Sequence, residues 1–160
     1  MENREKENMN LIKYLKPAGV VLEIKAAEKK GVIEALLEAV AANGGLGRDK
    51  KASVLQALLE RESLTSTGLG YGLAVPHVKT DDVDKIQIIF GRSVRGIDFE
   101  SLDGNPAHFF FLVLAPTREI EAYLRVLSAI SFLMKDEANR RGILRAKSAE
   151  EIIRILDQNV

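Results

Sequence analysis

Residues 106–116 read Pro-Ala-His-Phe-Phe-Phe-Leu-Val-Leu-Ala-Pro, a continuous apolar run closed by a proline at each end. Such a run is typical of a β-strand that is buried on both faces, because a half-exposed strand would alternate apolar and polar residues. It is far shorter than the ~20 residues that a membrane-spanning helix needs. The run therefore predicts the central strand of a sheet.

Amphipathic helices and short strands alternate around this run. Apolar residues recur at helical spacing over 29–42, before the stop signal Asn43-Gly44-Gly45, and a short helix is predicted over 137–145. Residues 85–93 alternate and are rich in β-branched side chains, which predicts a strand. Residues 63–72 are predicted to lack regular structure because glycines interrupt them. Strands interleaved with amphipathic helices indicate a single α/β domain.

Length, charge and composition narrow the class of protein. The 160 residues suit one domain, with residues 1–9 predicted as a flexible N-terminus and residues 10–160 as the folded part. Basic and acidic residues both number 23, so the net charge is zero, which argues against a nucleic-acid-binding or membrane-surface protein. The absence of cysteine excludes a disulfide scaffold, and two histidines are too few for a histidine-rich zinc site. The N-terminus lacks the apolar core of a signal peptide, so we expect a cytoplasmic protein.

One short segment concentrates the residues that could carry chemistry. It contains hydroxyl residues followed by alternating glycines, namely Thr65, Ser66, Thr67, Gly68, Gly70 and Gly72. Glycines let the backbone approach a ligand, and successive N–H groups can form a nest that binds phosphate or carboxylate. The hydroxyls can add hydrogen bonds, and Arg61 just upstream can add a positive charge. The segment therefore predicts an anion-binding loop.

His77 follows Pro76 at the end of a short apolar strand predicted over 73–75. A histidine in such a place can be a base, a nucleophile or a structural residue, and its chemistry alone leaves these alternatives open. A loop with alternating glycines is also a weak signal by itself, because many turns contain several glycines. The combination is more informative, since an anion-binding loop beside a lone histidine suits a phosphorylated imidazole.

These residues resemble a known active-site signature. The signature of the enzyme IIA domain of the bacterial sugar phosphotransferase system, fructose/mannitol type, is similar to Arg61-Glu62, Ser66-Thr67-Gly68, Gly70, Gly72 and Ala74-Val75-Pro76-His77. Residues 98–104 and 110–116 resemble a second block of the same family, and the similarity extends over nearly the whole chain. As a chain with no attached membrane or HPr domain, it most resembles the nitrogen-regulatory branch.

The resemblance implies a fold and a mechanism. The fold is a mixed central β-sheet flanked by helices on both faces. His77 would take a phosphoryl group from phospho-HPr on Nε2 and pass it on, which makes the protein a phosphotransferase that works by nucleophilic catalysis. Arg61 and the loop from Thr65 to Gly72 would bind the phosphoryl oxygens, while Nδ1 of His77 would donate to a carbonyl. No metal or cofactor is implied, because the donor is already an activated phosphohistidine.

Three further residues are candidates for the pocket. The family register places Tyr123 where a second histidine commonly sits, and a tyrosine can donate one hydrogen bond but carries no charge at neutral pH. This difference favours acceptance from HPr over onward transfer to a sugar. Glu62 could pair with Arg61 or Lys79, or be solvated. Lys79 would share a strand face with His77 and attract phosphate, or be an ordinary surface lysine.

Three functions are compatible with the sequence. The leading interpretation is a regulatory, nitrogen-type IIA protein that accepts its phosphoryl group from phospho-HPr or from the paralogue of HPr in the nitrogen branch. The alternatives are a IIA component of a sugar transport system that donates to a IIB domain, and a binding module that no longer transfers phosphate. Leu69, Tyr71 and Val78 are predicted to form the apolar part of the docking surface. No nucleic acid and no membrane insertion are expected.

Overall fold

The computed structural model describes residues 10–157 of the chain. The flexible N-terminus predicted over residues 1–9 lies outside the described residues, as do residues 158–160. The described part forms one mixed sheet with helices on both faces, which confirms the predicted fold class.

Five α-helices and four single 3₁₀ turns make up the helical part of residues 10–157. The helices are α1 (Lys29–Ala42), α2 (Lys51–Leu64), α3 (Ile120–Lys135), α4 (Glu137–Arg145) and α5 (Ala149–Leu156). The 3₁₀ turns are Leu11–Lys13, Pro17–Gly19, Arg48–Lys50 and Thr117–Glu119. The helices predicted over 29–42 and 137–145 are confirmed at both ends. None of the described helices has the length and apolar character that crossing a membrane requires.

Six strands form the sheet, namely β1 (Val20–Val21), β2 (Gly68–Gly70), β3 (Leu73–Ala74), β4 (His77–Lys79), β5 (Gln87–Ile97) and β6 (Ala107–Ala115). Their order is β1-β5-β6-β3-β2, and β4 pairs with the part of β6 that follows the part paired with β3. Strands β3 and β4 run parallel to β6, β1 runs parallel to β5, and the pairs β5–β6 and β2–β3 are antiparallel. The prediction that residues 63–72 lack regular structure was wrong in part, because residues 68–70 pair with β3.

Strand β6 is buried on both faces, as its apolar run predicts. Side chains alternate across a strand, so Phe109, Phe111 and Val113 enter the core beneath α3, α4 and α5. Phe110 and Leu112 enter the second core beneath α1 and α2. An aromatic pair lies in each core, with ring centroids 4.8 Å apart for Phe90 and Phe111 and 5.6 Å apart for Phe99 and Phe110. The two helical layers are therefore assembled on one strand.

A buried arginine ties the sheet to the C-terminal helices. Arg92 on β5 is 7% exposed, and its Nη1 donates to the carbonyl of Ile143 at 2.9 Å and to that of Ala146 at 2.5 Å. Both carbonyls lie at the end of α4, where a helix leaves its last acceptors without intrahelical donors. The Nε of Arg92 lies 3.6 Å from the carboxylate of Glu23. One side chain thus donates hydrogen bonds across the core to carbonyls at the end of α4.

We expect the Arg92→Ala variant to lose about 2–4 kcal/mol of unfolding free energy, because the Ala146 carbonyl loses its donor, the Ile143 carbonyl keeps only the N–H of Ala146, and a cavity forms. The matched control is Arg95→Ala, which removes an exposed arginine from the same strand and should change stability by less than about 0.5 kcal/mol. Denaturant unfolding of both variants checks this. Equal losses in the two variants would contradict the role assigned to Arg92.

Candidate active site

His77 begins strand β4, which pairs with the second half of β6 in the register His77 to Val113. Val78 packs against the core beneath α1 and α2, so the alternation of the strand turns His77 towards the layer that contains α3. There the imidazole is partly buried, and its centroid lies 5.9 Å from that of the Tyr123 ring. Sheet alternation thus brings together two residues that are far apart in sequence.

The tautomer of His77 follows from one contact. Nδ1 lies 2.6 Å from the carbonyl oxygen of Val75. A carbonyl can only accept, so Nδ1 carries the proton and Nε2 holds the lone pair in the neutral ring. This is the carbonyl contact that the family resemblance implies, and it leaves Nε2 as the nucleophilic nitrogen.

The surroundings of His77 favour the neutral imidazole. Burial lowers its pKa below the ordinary value of 6.5, and the positive charge of Arg61 lowers the pKa further. The Val75 carbonyl and the negative charge of Glu62 act in the opposite direction and raise the pKa. Because the net shift is downwards, the nitrogen lone pair is available at neutral pH.

Tyr123 borders the imidazole, and the charge of Arg61 acts on it from a different helix. Arg61, in the last turn of α2, donates from Nη1 to the carbonyl of Thr65 at 2.9 Å. Its charge lowers the pKa of His77 and opposes the rise of the Tyr123 pKa. Burial dominates at Tyr123 and raises that pKa to about 12, so the hydroxyl stays protonated and can donate a hydrogen bond. Arg61 and Tyr123 are therefore the donors placed around His77.

Glu62 is buried and holds the loop that precedes His77. Its carboxylate accepts hydrogen bonds from the backbone N–H of Thr67 at 3.2 Å and from the Thr67 hydroxyl. It also forms an ion pair with Lys29 at 3.1 Å, and Lys29 bridges on to Glu100 at 3.1 Å. The prediction that Glu62 pairs with Arg61 or Lys79, or is solvated, was wrong. Those partners were inferred from sequence proximity, whereas the buried carboxylate takes its cation from α1.

A continuous chain of contacts runs from α1 to the imidazole. Lys29 pairs with Glu62, and Glu62 binds Thr67. The carbonyl of Thr67 accepts from the N–H of Val75 at 3.0 Å, and the carbonyl of Val75 accepts from Nδ1 of His77. The position of His77 therefore depends on a charge pair that does not touch it.

The three hydroxyl residues of the loop differ in whether their hydroxyl is free to bind a ligand. The Thr67 hydroxyl is bound to Glu62 and is buried. The Ser66 hydroxyl donates to the carbonyl of Phe99 and accepts from the N–H of Gly68, both at 3.1 Å. Thr65 is exposed, and among the described residues its hydroxyl has no hydrogen-bond partner. Only Thr65 therefore keeps a free hydroxyl on the side of Arg61.

The glycines do not form a nest around His77. Gly68 packs against Ser101, whose Cα would lie 2.8 Å from a Cβ at position 68. Gly70 and Gly72 have φ angles of 108° and 73° and make the turn from β2 to β3. The carbonyl of Gly72 accepts from the N–H of Phe109 at 3.0 Å, near the start of β6.

His77 instead pairs with Val113, four residues or ~13 Å further along β6. The structure thus leaves the predicted phosphate-binding role of Gly70 and Gly72 without geometric support. Leu69 and Tyr71 accompany them and line a separate cleft of about 770 Å³, so they do not flank His77 as predicted. The sequence interval does not reveal this separation, because it does not show that residues 73–77 advance along β6 from Phe109 to Val113.

Lys79 and Lys29 show what sequence spacing can and cannot find. Lys79 is exposed in β4 and shares its strand face with His77, as the spacing predicts. Lys29 escaped the sequence analysis, since it lies in no motif and begins an ordinary amphipathic helix. Its contact with Glu62 spans 33 residues and arises from the packing of α1 against α2.

A histidine with its Nε2 lone pair free, at the edge of a mixed α/β sheet, with Tyr123 beside it and the charge of Arg61 acting on it, is an arrangement that can accept a group on nitrogen. The family model described as phosphoenolpyruvate-dependent sugar phosphotransferase system, EIIA 2, matches residues 13–159. The chain therefore belongs to the EIIA type-2 family, which confirms the resemblance drawn from the sequence.

Relatives with two kinds of name match the chain. It is 40% identical over 141 residues to the fructose-specific EIIA component of Haloferax volcanii, covering 88% of this chain and 90% of that protein. It is 34% identical over 148 residues to a nitrogen regulatory protein of Bradyrhizobium diazoefficiens, covering 92% and 95%. It is also 39% identical to the fructose-specific EIIABC component of Bacillus subtilis over 94% of this chain, but it spans only 24% of that relative.

Two solved structures share the fold. The nitrogen regulatory protein IIA-Ntr of Neisseria meningitidis superposes with a TM-score of 0.82 at 30% identity, covering 90% of this chain and 97% of that one. The mannitol IIA of Escherichia coli superposes with a TM-score of 0.76 at 26% identity, covering 89% and 98%. Both kinds of IIA protein therefore match this chain in sequence and in structure.

We expect His77 to titrate below pH 6.5 and the Arg61→Ala variant to raise its pKa, because the nearby positive charge is removed. Because the pKa of His77 is lower in the folded than in the unfolded state, protonation of His77 destabilises the fold as the pH falls below 6.5. An NMR titration of the His77 imidazole resonances measures this. Arg125→Ala, an exposed arginine on α3, is the control and should leave the His77 pKa unchanged.

We expect the Glu62→Ala variant to lose about 2–4 kcal/mol of unfolding free energy, because Thr67 and Lys29 lose a buried partner. Glu60→Ala removes an exposed carboxylate from the same helix and should have an effect below about 0.5 kcal/mol. Thermal or denaturant unfolding compares the two. A neutral Glu62 variant would show that the loop holds its position without this pair.

Proposed function

We propose that this chain is a phosphocarrier in which Nε2 of His77 accepts a phosphoryl group from a phosphohistidine donor of the HPr type. The observation that supports this most directly is the contact between Nδ1 and the Val75 carbonyl. It holds the proton on Nδ1 and leaves the lone pair on Nε2. The lowered pKa keeps that lone pair free of a proton at neutral pH.

The transfer balances without a metal or a further co-reactant. The Nε2 lone pair of His77 attacks phosphorus in line with the donor's N–P bond. That bond breaks as the new N–P bond forms, and the electron pair returns to the donor imidazole. Positive charge grows on the His77 ring, where the Val75 carbonyl holds the Nδ1 proton and the negative charge of Glu62 lies close by. The same groups would serve the reverse step, in which His77 becomes the donor.

Arg61, Thr65 and Tyr123 are the side chains that we assign to the phosphoryl oxygens. Arg61 has guanidinium donors beyond the one that binds the Thr65 carbonyl. Hydrogen bonds to a charged group are worth roughly 1.5–3 kcal/mol each. Ser66 and Thr67 act differently from the sequence prediction, because their hydroxyls hold the loop in place. Lys79 contributes a positive charge at the rim of the site.

A donor needs an apolar surface beside the histidine, and two exposed side chains are suitably placed. Leu64 follows Arg61 by three residues and is 81% exposed, and Ile120 precedes Tyr123 by three residues and is 46% exposed. Carrier proteins must release each other after transfer, so a small interface with an apolar centre is expected. Leu64 and Ile120 replace Leu69 and Tyr71 as the proposed docking residues.

For the acceptor, we propose a IIB domain of the fructose type, because the fructose-specific relatives are 39% and 40% identical to this chain. One chain of a solved complex between mannitol IIA and phosphorylated mannitol IIB of Escherichia coli has the same fold as this chain, with a TM-score of 0.75. The second candidate is a nitrogen-regulatory role, favoured by the TM-score of 0.82 with IIA-Ntr. Tyr123, in place of a second histidine, also favours that regulatory candidate.

The phosphocarrier proposal is tested by incubating the chain with phosphoenolpyruvate, enzyme I and HPr. We expect the intact mass to rise by one acid-labile phosphoryl group. His77→Ala should abolish labelling, and the control His108→Ala should retain it, because His108 lies near the start of β6, away from Val113, which pairs with His77. Adding a fructose-type IIB domain should then discharge the labelled protein.

Each other outcome of this experiment points elsewhere. Undiminished labelling of His77→Ala would place the phosphoryl group on another residue. A folded wild-type chain that takes no label would indicate a binding module instead of a carrier. A stable label that a IIB domain does not discharge would favour the regulatory candidate.

A further inference from the structure

Helix α3 has an exposed face that begins beside the site at Ile120 and continues along the helix. Tyr123, Val126 and Ile130 are buried against the sheet, whereas the opposite side of the helix is exposed. We call five of its residues the outer seam, namely Glu121, Leu124, Ser128, Phe132 and Lys135. Leu124 is 56% exposed and Phe132 is 74% exposed, so the seam contains two large apolar side chains in contact with water.

The outer seam has the spacing of a helix-pairing surface. Its members recur at intervals of three or four residues, which keeps them in one stripe along the helix. Beside the stripe lies a groove of about 400 Å³ lined by Leu127, Ser128, Ser131, Phe132 and Lys135. A groove next to a protruding Phe132 can receive a side chain from a second helix.

The stripe is symmetric about Ser128. Residues at equal distances before and after Ser128 are either both apolar or opposite in charge. Leu124 and Phe132 lie four residues before and after Ser128, and Glu121 and Lys135 lie seven before and after it. In an antiparallel pair with its two-fold axis at Ser128, Leu124 lies level with Phe132 of the second copy. Glu121 then lies level with Lys135 of the second copy.

Charge also selects the direction of pairing. A parallel pair would bring each Glu121 level with the other Glu121, and each Lys135 level with the other Lys135, which is repulsive. The antiparallel pair makes both contacts attractive. Within residues 10–157, neither Glu121 nor Lys135 has an ion-pair partner of its own. The small Ser128 at the axis lets the two helix backbones approach closely.

We propose that the outer seam is a self-association surface, and that its occupant is a second copy of this chain in an antiparallel α3–α3 two-fold pair. A two-fold pair is self-complementary, because each residue pair occurs twice. One helix pair buries less than the ~1,200 Å² of a stable complex, so the association is weak and reversible. It should be populated only at protein concentrations of roughly 0.1 mM or more. The proposal does not depend on phosphoryl transfer by His77.

Sedimentation equilibrium of the unphosphorylated chain between 10 µM and 1 mM, concentrations set around that estimate, tests the proposal. We expect the average mass to rise from the 17.7 kDa of the monomer towards twice that value. Glu121→Lys and Lys135→Glu should each weaken the association at least about tenfold, since each places like charges at both ends of the pair. Phe132→Ser should weaken it as well. Glu150→Lys reverses an exposed charge on α5 and is the control.

The charge reversals also distinguish the antiparallel pair from other dimers. An equimolar mixture of Glu121→Lys and Lys135→Glu restores both attractive contacts, as does the double variant alone, so both should associate like the parent. A parent that stays monomeric at 1 mM overturns the proposal. A dimer that is insensitive to the single reversals, or that the mixture does not restore, uses another face and also overturns it. His77→Ala should associate like the parent, which separates this result from the phosphocarrier test.

Discussion

The burial of β6 on both faces is the constraint on which the other elements depend. Phe109, Phe111 and Val113 need cover on one side of the sheet, and Phe110 and Leu112 need it on the other. Two helical layers are the smallest structure that supplies both. Two further contacts fix the layers in place: Arg92 of β5 binds the end of α4, and Lys29 of α1 pairs with Glu62 of α2, which holds Thr67 before β2.

The candidate site forms where those two layers meet at the edge of the sheet. Parallel pairing of β4 with β6 places His77 level with Val113, and alternation along β4 turns the ring towards α3. The charge of Arg61 acts on it from one layer, and the Tyr123 ring lies beside it from the other. Burial then selects the neutral imidazole, and the Val75 carbonyl selects its tautomer. Each chemical property of the histidine thus has a source in the packing of the sheet.

Charge around the site is balanced by groups with different tasks. Arg61 is partly exposed and keeps donors free, which suits a residue that meets a charged ligand. Glu62, its neighbour in sequence, is buried and fully occupied by Lys29 and Thr67. An adjacent arginine and glutamate therefore act on the same imidazole with opposite sign, one from the ligand side and one from the interior.

The sequence by itself determined what depends on local pattern. The apolar run at 106–116, the helical spacing over 29–42 and the short helix over 137–145 each predicted its element, because burial periodicity is written directly into neighbouring residues. The motif that ends at His77 was likewise sufficient to assign the family. Tertiary structure alone decided which motif residues share a site. Gly70 and Gly72 are separated from His77 by residues 73–77, which run along β6, and Lys29 was brought to Glu62 by helix packing. Contacts across the sheet depend on strand register and layer geometry, and a linear sequence does not encode those distances in its local spacing.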